Sequence, residues 1–225
     1  MERLIQITAD GSHTIAIPDM HVTFHSLLGA IQESVHVYIN NGLHHLPADL
    51  HAISILEMGF GTGLNALLTL REAIALQRNI YYQTIEQYPL TIKEAASLNY
   101  PEQLGEPDLE PFLQSLHTSA WDQDVQLHPC FTLHKTHVSL QEAVFSQSFD
   151  LIYYDAFAPS AQPELWTTAI FTKLFERLNP GGILVTYCSK GDVKRAIKAA
   201  GFVLEKKVPG PKRKREMVRA KKRSL

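Results

Sequence analysis

Cysteine is scarce: Cys130 and Cys188 are the only two in 225 residues. They form no C-x-x-C pair and show no metal-ligand spacing, which excludes a disulfide scaffold and points to a reducing compartment. Long apolar runs are missing as well. No stretch approaches the roughly 18 residues that a membrane span needs. The opening MERLIQITADG places Glu2 and Arg3 where a secretory leader would begin its apolar core. The expectation is therefore a cytoplasmic protein without a membrane anchor. Repeats, heptads and low-complexity linkers are also absent. With 45% apolar residues, one good-sized α/β domain or a domain with a small appendage accounts for the length.

A large charge imbalance is missing only on average. The net charge is −2, but residues 190–225 hold 14 Lys and Arg against Asp192, Glu205 and Glu216, while residues 1–189 hold 7 basic and 20 acidic residues. A basic end on an acidic body is either a polyanion contact or a solubilising tail, and charge alone does not separate the two.

The patterning has a regular rhythm. Residues 4–17 read as two short strands around an Asp-Gly turn, and 24–43 as a helix followed by a strand or loop. Strands are expected at 54–58, 81–85, 130–136, 150–155 and 182–188, with helices over 64–77, 91–98, 139–146, 163–178 and 190–200 between and after them. Segment 101–129 reads as an irregular cover or short helices. The flanks of PGPKRK read as a closing antiparallel hairpin. Alternating elements of this length predict a mostly parallel sheet covered on both faces.

The stretch ILEMGFGTGLN (55–65) carries glycines at 59, 61 and 63 where the first strand of this rhythm ends. A dinucleotide fingerprint needs its third glycine three positions after the second, and that position is Leu64; a phosphate loop needs Gly-Lys-Ser/Thr, which is absent. What remains is Glu57 before the glycines and Glu86 at the end of the next strand. Gly59, Gly61 and Gly63 let the backbone approach a ligand, Glu86 is placed for ribose hydroxyls, and Glu57 for a charged amino group or for bracing the loop. Adenosine with a cationic amino-acid tail suits two acids better than a pyrophosphate does, so S-adenosyl-L-methionine (SAM) is the expected ligand. The competing reading is a plain strand-turn-helix joint with Glu86 on the surface.

Asp155 ends a later strand, and ligands of parallel sheets bind outside the carboxyl ends of strands, so Asp155 and the glycine turn are expected to share one crevice. The loop FAPSAQ follows it. Phe157, Trp166 and Tyr154 offer flat surface for a planar base, with ordinary core packing as the alternative for Phe157 and Trp166.

EMGFGTGLN (57–65), Glu86, DAFAPSAQPELW (155–166) and PGGILVTYCSKGDVKRAIKAAGFVLEKKVPGPKRKREM (180–217) together resemble the tRNA 5-methylaminomethyl-2-thiouridine methyltransferase family. The resemblance implies a class I SAM-dependent methyltransferase (Rossmann-like) fold: a seven-stranded, mostly parallel sheet with a terminal antiparallel hairpin and a small N-terminal β-rich extension. Residues 1–50 would be the extension, packed on the cofactor cleft, and 51–225 the methyltransferase domain. Family members stand alone or form the N-terminal half of a bifunctional protein with a flavin oxidoreductase; the length implies the stand-alone form.

Segment 24–43 is similar to the family's N-terminal signature and adds Glu33 as a cofactor contact, with packing an equal reading for His36. The chain departs from its relatives after the third strand, where Thr136 and His137 replace a frequent Gly-Asp. That leaves the Thr136 hydroxyl or a backbone carbonyl for the adenine amino group. His128, His134 and His137 lack a ligand set, so no metal is expected.

The implied reaction moves a methyl group from SAM to the exocyclic amine of 5-aminomethyl-(2-thio)uridine at the tRNA wobble position. Asp155 would align that amine. Phe157 and Trp166 would contact the base, and Lys212, Arg213, Lys214 and Arg215 the tRNA anticodon arm. Lys206, Lys207, Arg219, Lys221, Lys222 and Arg223 are further candidates. A methyl- or aminopropyl-transferase for a small amine, and a non-catalytic RNA-binding module, are the alternatives.

Overall fold

The computed structural model describes residues 2–211 and 216–223. Strands β1 (Leu4–Ile7), β2 (His13–Ile17) and β3 (Val22–Thr23) form a small antiparallel sheet. Asp10 ties the first turn of this sheet to the helix after it. The Asp10 carboxylate accepts the Thr8 hydroxyl at 2.7 Å, the Ser12 amide at 3.1 Å and the Gln32 amide at 3.0 Å. Gln32 lies in that helix, α1 (Ala30–Ser34), which runs on as a wider π-helical turn through Val35–Asn40. The run VHVYI has the β-branched and aromatic character of a strand, yet it stays helical. Its widened turn buries Val37, Tyr38 and Ile39.

Among the described residues the main sheet has eight strands, β4 (Ala52–Met58), β5 (Asn79–Ile85), β6 (Asp124–His128), β7 (Phe131–Thr136), β8 (Phe149–Tyr154), β9 (Leu178–Thr186), β10 (Val203–Leu204) and β11 (Val218–Lys221), in the order β10-β11-β9-β8-β4-β5-β7-β6. The expected count of seven is one too few. Asp124–His128, inside the segment read as a cover, pairs antiparallel with β7 and extends that edge. Strands β4, β5, β7, β8 and β9 are mutually parallel, and β11 returns antiparallel beside β9.

Successive residues of β4 and β8 enter opposite layers, as the two-residue period requires. Ile55, Leu151 and Tyr153 pack with α2 (Leu64–Leu76), whereas Leu56, Ile152 and Tyr154 join the core on the other face. The cover between β5 and β6 holds three short helices, α3 (Ile92–Ala95), α4 (Tyr100–Leu104) and α5 (Glu110–Thr118). Helices α6 (Thr168–Glu176) and α7 (Gly191–Ala199) cover the second face.

Two expected helices differ. Residues 139–146 form turns: the Lys173 ammonium takes the carbonyls of Leu140 and Gln141 at 2.9 and 3.0 Å, acceptors that a helix would have used itself. The 163–178 helix is split. Pro163–Trp166 is a single tight turn, Thr167 is extended (φ −87°, ψ 158°), and its hydroxyl caps α6 by accepting the Ile170 amide.

Trp166 is 5% exposed and stands edge-on to Tyr154 with ring centres 5.0 Å apart. Truncating it to Ala is expected to cost about 3–5 kcal/mol of stability, measured by urea denaturation.

Candidate active site

β4 and β8 are parallel neighbours with Met58 opposite Tyr154, so the residues after each strand emerge together. The Asp155 amide donates to the Met58 carbonyl at 3.1 Å. After Met58 the chain turns through Gly59 (φ +89°) and Gly61 (φ +52°), backbone shapes that side chains disfavour. A Cβ at position 59 would lie 3.1 Å from the Asp155 carbonyl oxygen, and one at 61 would lie 3.0 Å from the Phe24 ring. Gly63 closes the turn at the N-terminus of α2. Below the loop, His117 Nε2 donates to the Thr62 carbonyl at 3.0 Å, and burial holds that imidazole neutral by pushing its pKa down to about 4.

The loop borders a cavity of about 320 Å³. Glu86, Asp155 and Phe157 lie on its wall. Glu86 accepts the Gly61 amide on one oxygen at 3.0 Å and the Tyr88 amide on the other at 2.8 Å, so it shapes the loop as well as facing the space. Asp155 is gripped from two sides: the Tyr38 hydroxyl donates to Oδ1 at 2.6 Å and the Asn65 amide to Oδ2 at 2.9 Å. Burial first, then the Asp155 charge, hold the Tyr38 hydroxyl well above its ordinary pKa, which keeps it a donor. Phe157 packs edge-on against Phe24 with ring centres 5.3 Å apart.

Other sequence-predicted residues lie elsewhere. Trp166 is a support: it is in the core, and its indole N–H holds the Phe157 carbonyl at 2.8 Å. Glu33 is off the wall and accepts the Ser26 amide at 2.9 Å, bracing the segment that carries Phe24 and His25. Glu57 is fully buried behind the loop, where it accepts the Thr84 hydroxyl at 2.7 Å. Burial raises its carboxyl pKa to about 8. Thr136 accepts the Gln83 amide at 3.3 Å, His137 contacts the Gln87 carbonyl at 3.1 Å, and Ser139, Leu140 and Gln141 line that end of the cavity instead. Lys212, Arg213, Lys214 and Arg215 lie outside the described residues.

Sequence reasoning did not single out Tyr38 and Asn65 as partners of Asp155; it expected the N-terminal extension on the cleft but did not name Arg3, Ile17, Met20, Phe24 and His25, which form part of the cavity lining. Asn65 sits in the quoted GTGLN motif, so its position was visible; its partner was not. Among the described residues no group of three or more His, Cys, Asp or Glu could hold a metal, and no helix is long and apolar enough to cross a membrane.

Among the described residues, the cavity wall carries the carboxylates of Glu86, Asp155 and Glu164 against one guanidinium, that of Arg3. Arg3 is engaged by the Tyr88 and Pro89 carbonyls and by Glu94. His25 also faces the cavity, and burial lowers its pKa to about 4, leaving it neutral. This balance of charge suits a cation and repels a pyrophosphate. With no Cβ at Gly59 and Gly61 on the cavity wall and a carboxylate, Glu86, just after the next strand, the residues present fit SAM.

The fold and this site define a class I SAM-dependent methyltransferase. A model described as S-adenosyl-L-methionine-dependent methyltransferase matches residues 108–223, and the chain belongs to that family. The tRNA 5-methylaminomethyl-2-thiouridine biosynthesis bifunctional protein MnmC of Aromatoleum aromaticum is 30% identical over 222 residues, covering 90% of this chain and 33% of its own length. That of Cupriavidus metallidurans is 32% identical over 210 residues, covering 88% and 31%. The chain thus spans about a third of the length of these relatives. The crystal structure of MNMC2 from Aquifex aeolicus shares the fold, with a TM-score of 0.81 at 24% identity, covering 100% of this chain and 71% of that one. Spermidine synthase from Thermotoga maritima is more distant, at 0.54 and 16% over 97% of this chain and 67% of its own.

The buried acid makes a stability prediction. Glu57 keeps its proton in the folded state up to about pH 8, whereas the unfolded carboxyl loses it near 4.5. Stability should therefore fall as pH rises through that window, because the folded state binds more protons than the unfolded one. Glu57→Gln should flatten the decline, read by urea denaturation at successive pH values.

Proposed function

We propose that this chain methylates the exocyclic amine of 5-aminomethyl-(2-thio)uridine at the wobble position of tRNA, giving the 5-methylaminomethyl nucleoside. One observation carries the reading: a carboxylate, Asp155, is fixed by two donors at the wall of a cavity lined also by Glu86 and Glu164, beside the glycine turn. The relatives named for this nucleoside and the basic C-terminal end support the choice of substrate. A tRNA substrate supports a cytoplasmic location for the reaction.

Bound SAM supplies a methyl group already activated on a sulfonium. Gly59 and Gly61 would admit it against the backbone, with Glu86 toward the ribose and Ser139–Gln141 toward the base. Asp155 accepts an N–H bond from the acceptor amine, points its lone pair, and stabilises the positive charge that grows on nitrogen. A carboxylate also favours the unreactive ammonium form. Desolvation under the roof formed by Phe24 and Phe157 opposes that tendency by lowering the amine pKa. Holding the amine in line contributes several kcal/mol through positioning alone. An anticodon base starts unpaired, so bringing it into the cavity costs less than extracting one from a duplex.

The basic end would supply phosphate contacts. Arg219 is committed to Glu205 at 2.6 Å and to Asn41, and Lys222 to the carbonyls of Phe175 and Leu178. Lys206, Lys207, Lys221 and Arg223 are exposed and are, with the sequence-predicted Lys212, Arg213, Lys214 and Arg215, the candidates for phosphate contact.

Nucleoside analysis of tRNA carrying aminomethyluridine, after incubation with the chain and SAM, should show the methylaminomethyl product; unmodified tRNA together with methylated polyamine would point to a small-amine enzyme. Asp155→Asn should lower single-turnover methylation by about 10²–10⁴-fold while SAM binding by calorimetry is kept. Replacing Lys212, Arg213, Lys214 and Arg215 by Gln should weaken tRNA binding. The slope of log affinity against log salt should become shallower by about 0.7–0.9 for each phosphate that is no longer neutralised.

A further inference from the structure

Glu57 is a charged residue type buried where the donor's binding loop begins, yet it does not reach the cavity. Its surroundings tell what it touches. From β5, the Thr84 hydroxyl donates to Oε2 at 2.7 Å; Tyr82 of β5, Asn65 of α2 and the Asp155 charge after β8 act on the carboxyl electrostatically, while Glu57 Oε1, the Tyr82 hydroxyl and Asn65 Oδ1 are buried with no hydrogen-bond partner among the described residues. Tyr153 of β8 is the remaining titratable neighbour, and its hydroxyl stays protonated through burial. No cation is among these groups. Asn65 is 3% exposed, and the same side chain donates to Asp155 Oδ2 at 2.9 Å. One buried amide therefore stands between a hidden carboxyl and the carboxylate at the cavity wall.

We propose that Glu57 is a positioning residue for Asp155, acting through the Asn65 amide, and not a ligand to the methyl donor. The inference rests on the methyl transfer proposed above for its kinetic consequence; its structural consequence does not depend on that reading. A protonated Glu57 leaves Asp155 as the single charge of the pair and lets the Asn65 amide settle in one orientation. An ionised Glu57 sets a second negative charge beside Asp155 in a low-dielectric site and competes for the Asn65 N–H groups. The acceptor side then changes in two ways: Asp155 shifts from its alignment, and the added charge favours the ammonium form of the substrate amine. Both slow the reaction as Glu57 loses its proton.

The experiment has spectroscopic arms that need no substrate. Infrared spectra of the full chain should show a protonated carboxyl band at neutral pH that Glu57→Gln removes and that wild type loses near pH 8. The Asn65 side-chain amide signals in nitrogen-15 NMR should move with the same midpoint, and should not titrate in Glu57→Gln. In methyl-transfer assays, Glu57→Ala should lower kcat by about 10²-fold, the size of a misplaced catalytic group, with the SAM Kd unchanged. Glu57→Gln should restore most of that rate without the alkaline decline of wild type.

An Asn65 signal that ignores the Glu57 titration overturns the proposal, as does a Glu57→Ala variant that raises the SAM Kd while keeping kcat. If Glu57→Ala does not fold, the wild-type titration and Glu57→Gln still decide. If wild type methylates no tRNA, the substrate assignment falls while the spectroscopic arms judge Glu57 independently.

Discussion

The parallel pairing of β4 with β8 is the constraint on which the site depends. Chain order runs outward from β4 in one direction through β5 and β7, and in the other through β8 and β9, so the crevice opens where the direction reverses. The register of Met58 against Tyr154 ends both strands at one level. The bond from the Asp155 amide to the Met58 carbonyl then carries the pairing one residue further, into the loops. A slip of two residues would part the glycine turn from its carboxylate. Everything the cavity offers a sulfonium and an amine depends on that level being shared.

Around this constraint the chain spends its polar groups on orientation. Glu86 bonds two backbone amides, Asp155 two side-chain donors, and Trp166 holds the carbonyl of Phe157 from inside the core. Methyl transfer from a sulfonium asks little of acid–base chemistry and much of alignment, so a site built from braced rather than mobile groups suits the reaction. The charge pattern fits the same division: the cavity wall is acidic, and the basic residues gather at the far C-terminal end.

The strand rhythm was legible because parallel strands buried on both faces read as apolar runs, and glycines before a helix mark a ligand turn. Spacing and strand ends place Gly59, Gly61, Glu86, Asp155 and Phe157 together, and all five line one cavity, with Gly63 closing the turn beside it. Local pattern failed where a distant group took over backbone acceptors, as Lys173 does at Leu140 and Gln141. It failed again at Val35–Asn40, where strand-like residues wind into a π-helical turn. Tyr38 was therefore invisible as a partner of Asp155, since 117 residues separate the two. Spacing alone leaves Glu57 two readings, a charged amino group of the ligand or a brace for the loop, and its burial behind the loop on the Thr84 hydroxyl fits the second.

A crystal structure of the chain with S-adenosylhomocysteine tests the account most directly. The expected result places the sulfur in the cavity beside Asp155, the ribose at Glu86 and the backbone of Gly59–Gly63 against the ligand. Density for the ligand on another surface, or a bound sulfur separated from Asp155 by intervening side chains, would contradict it.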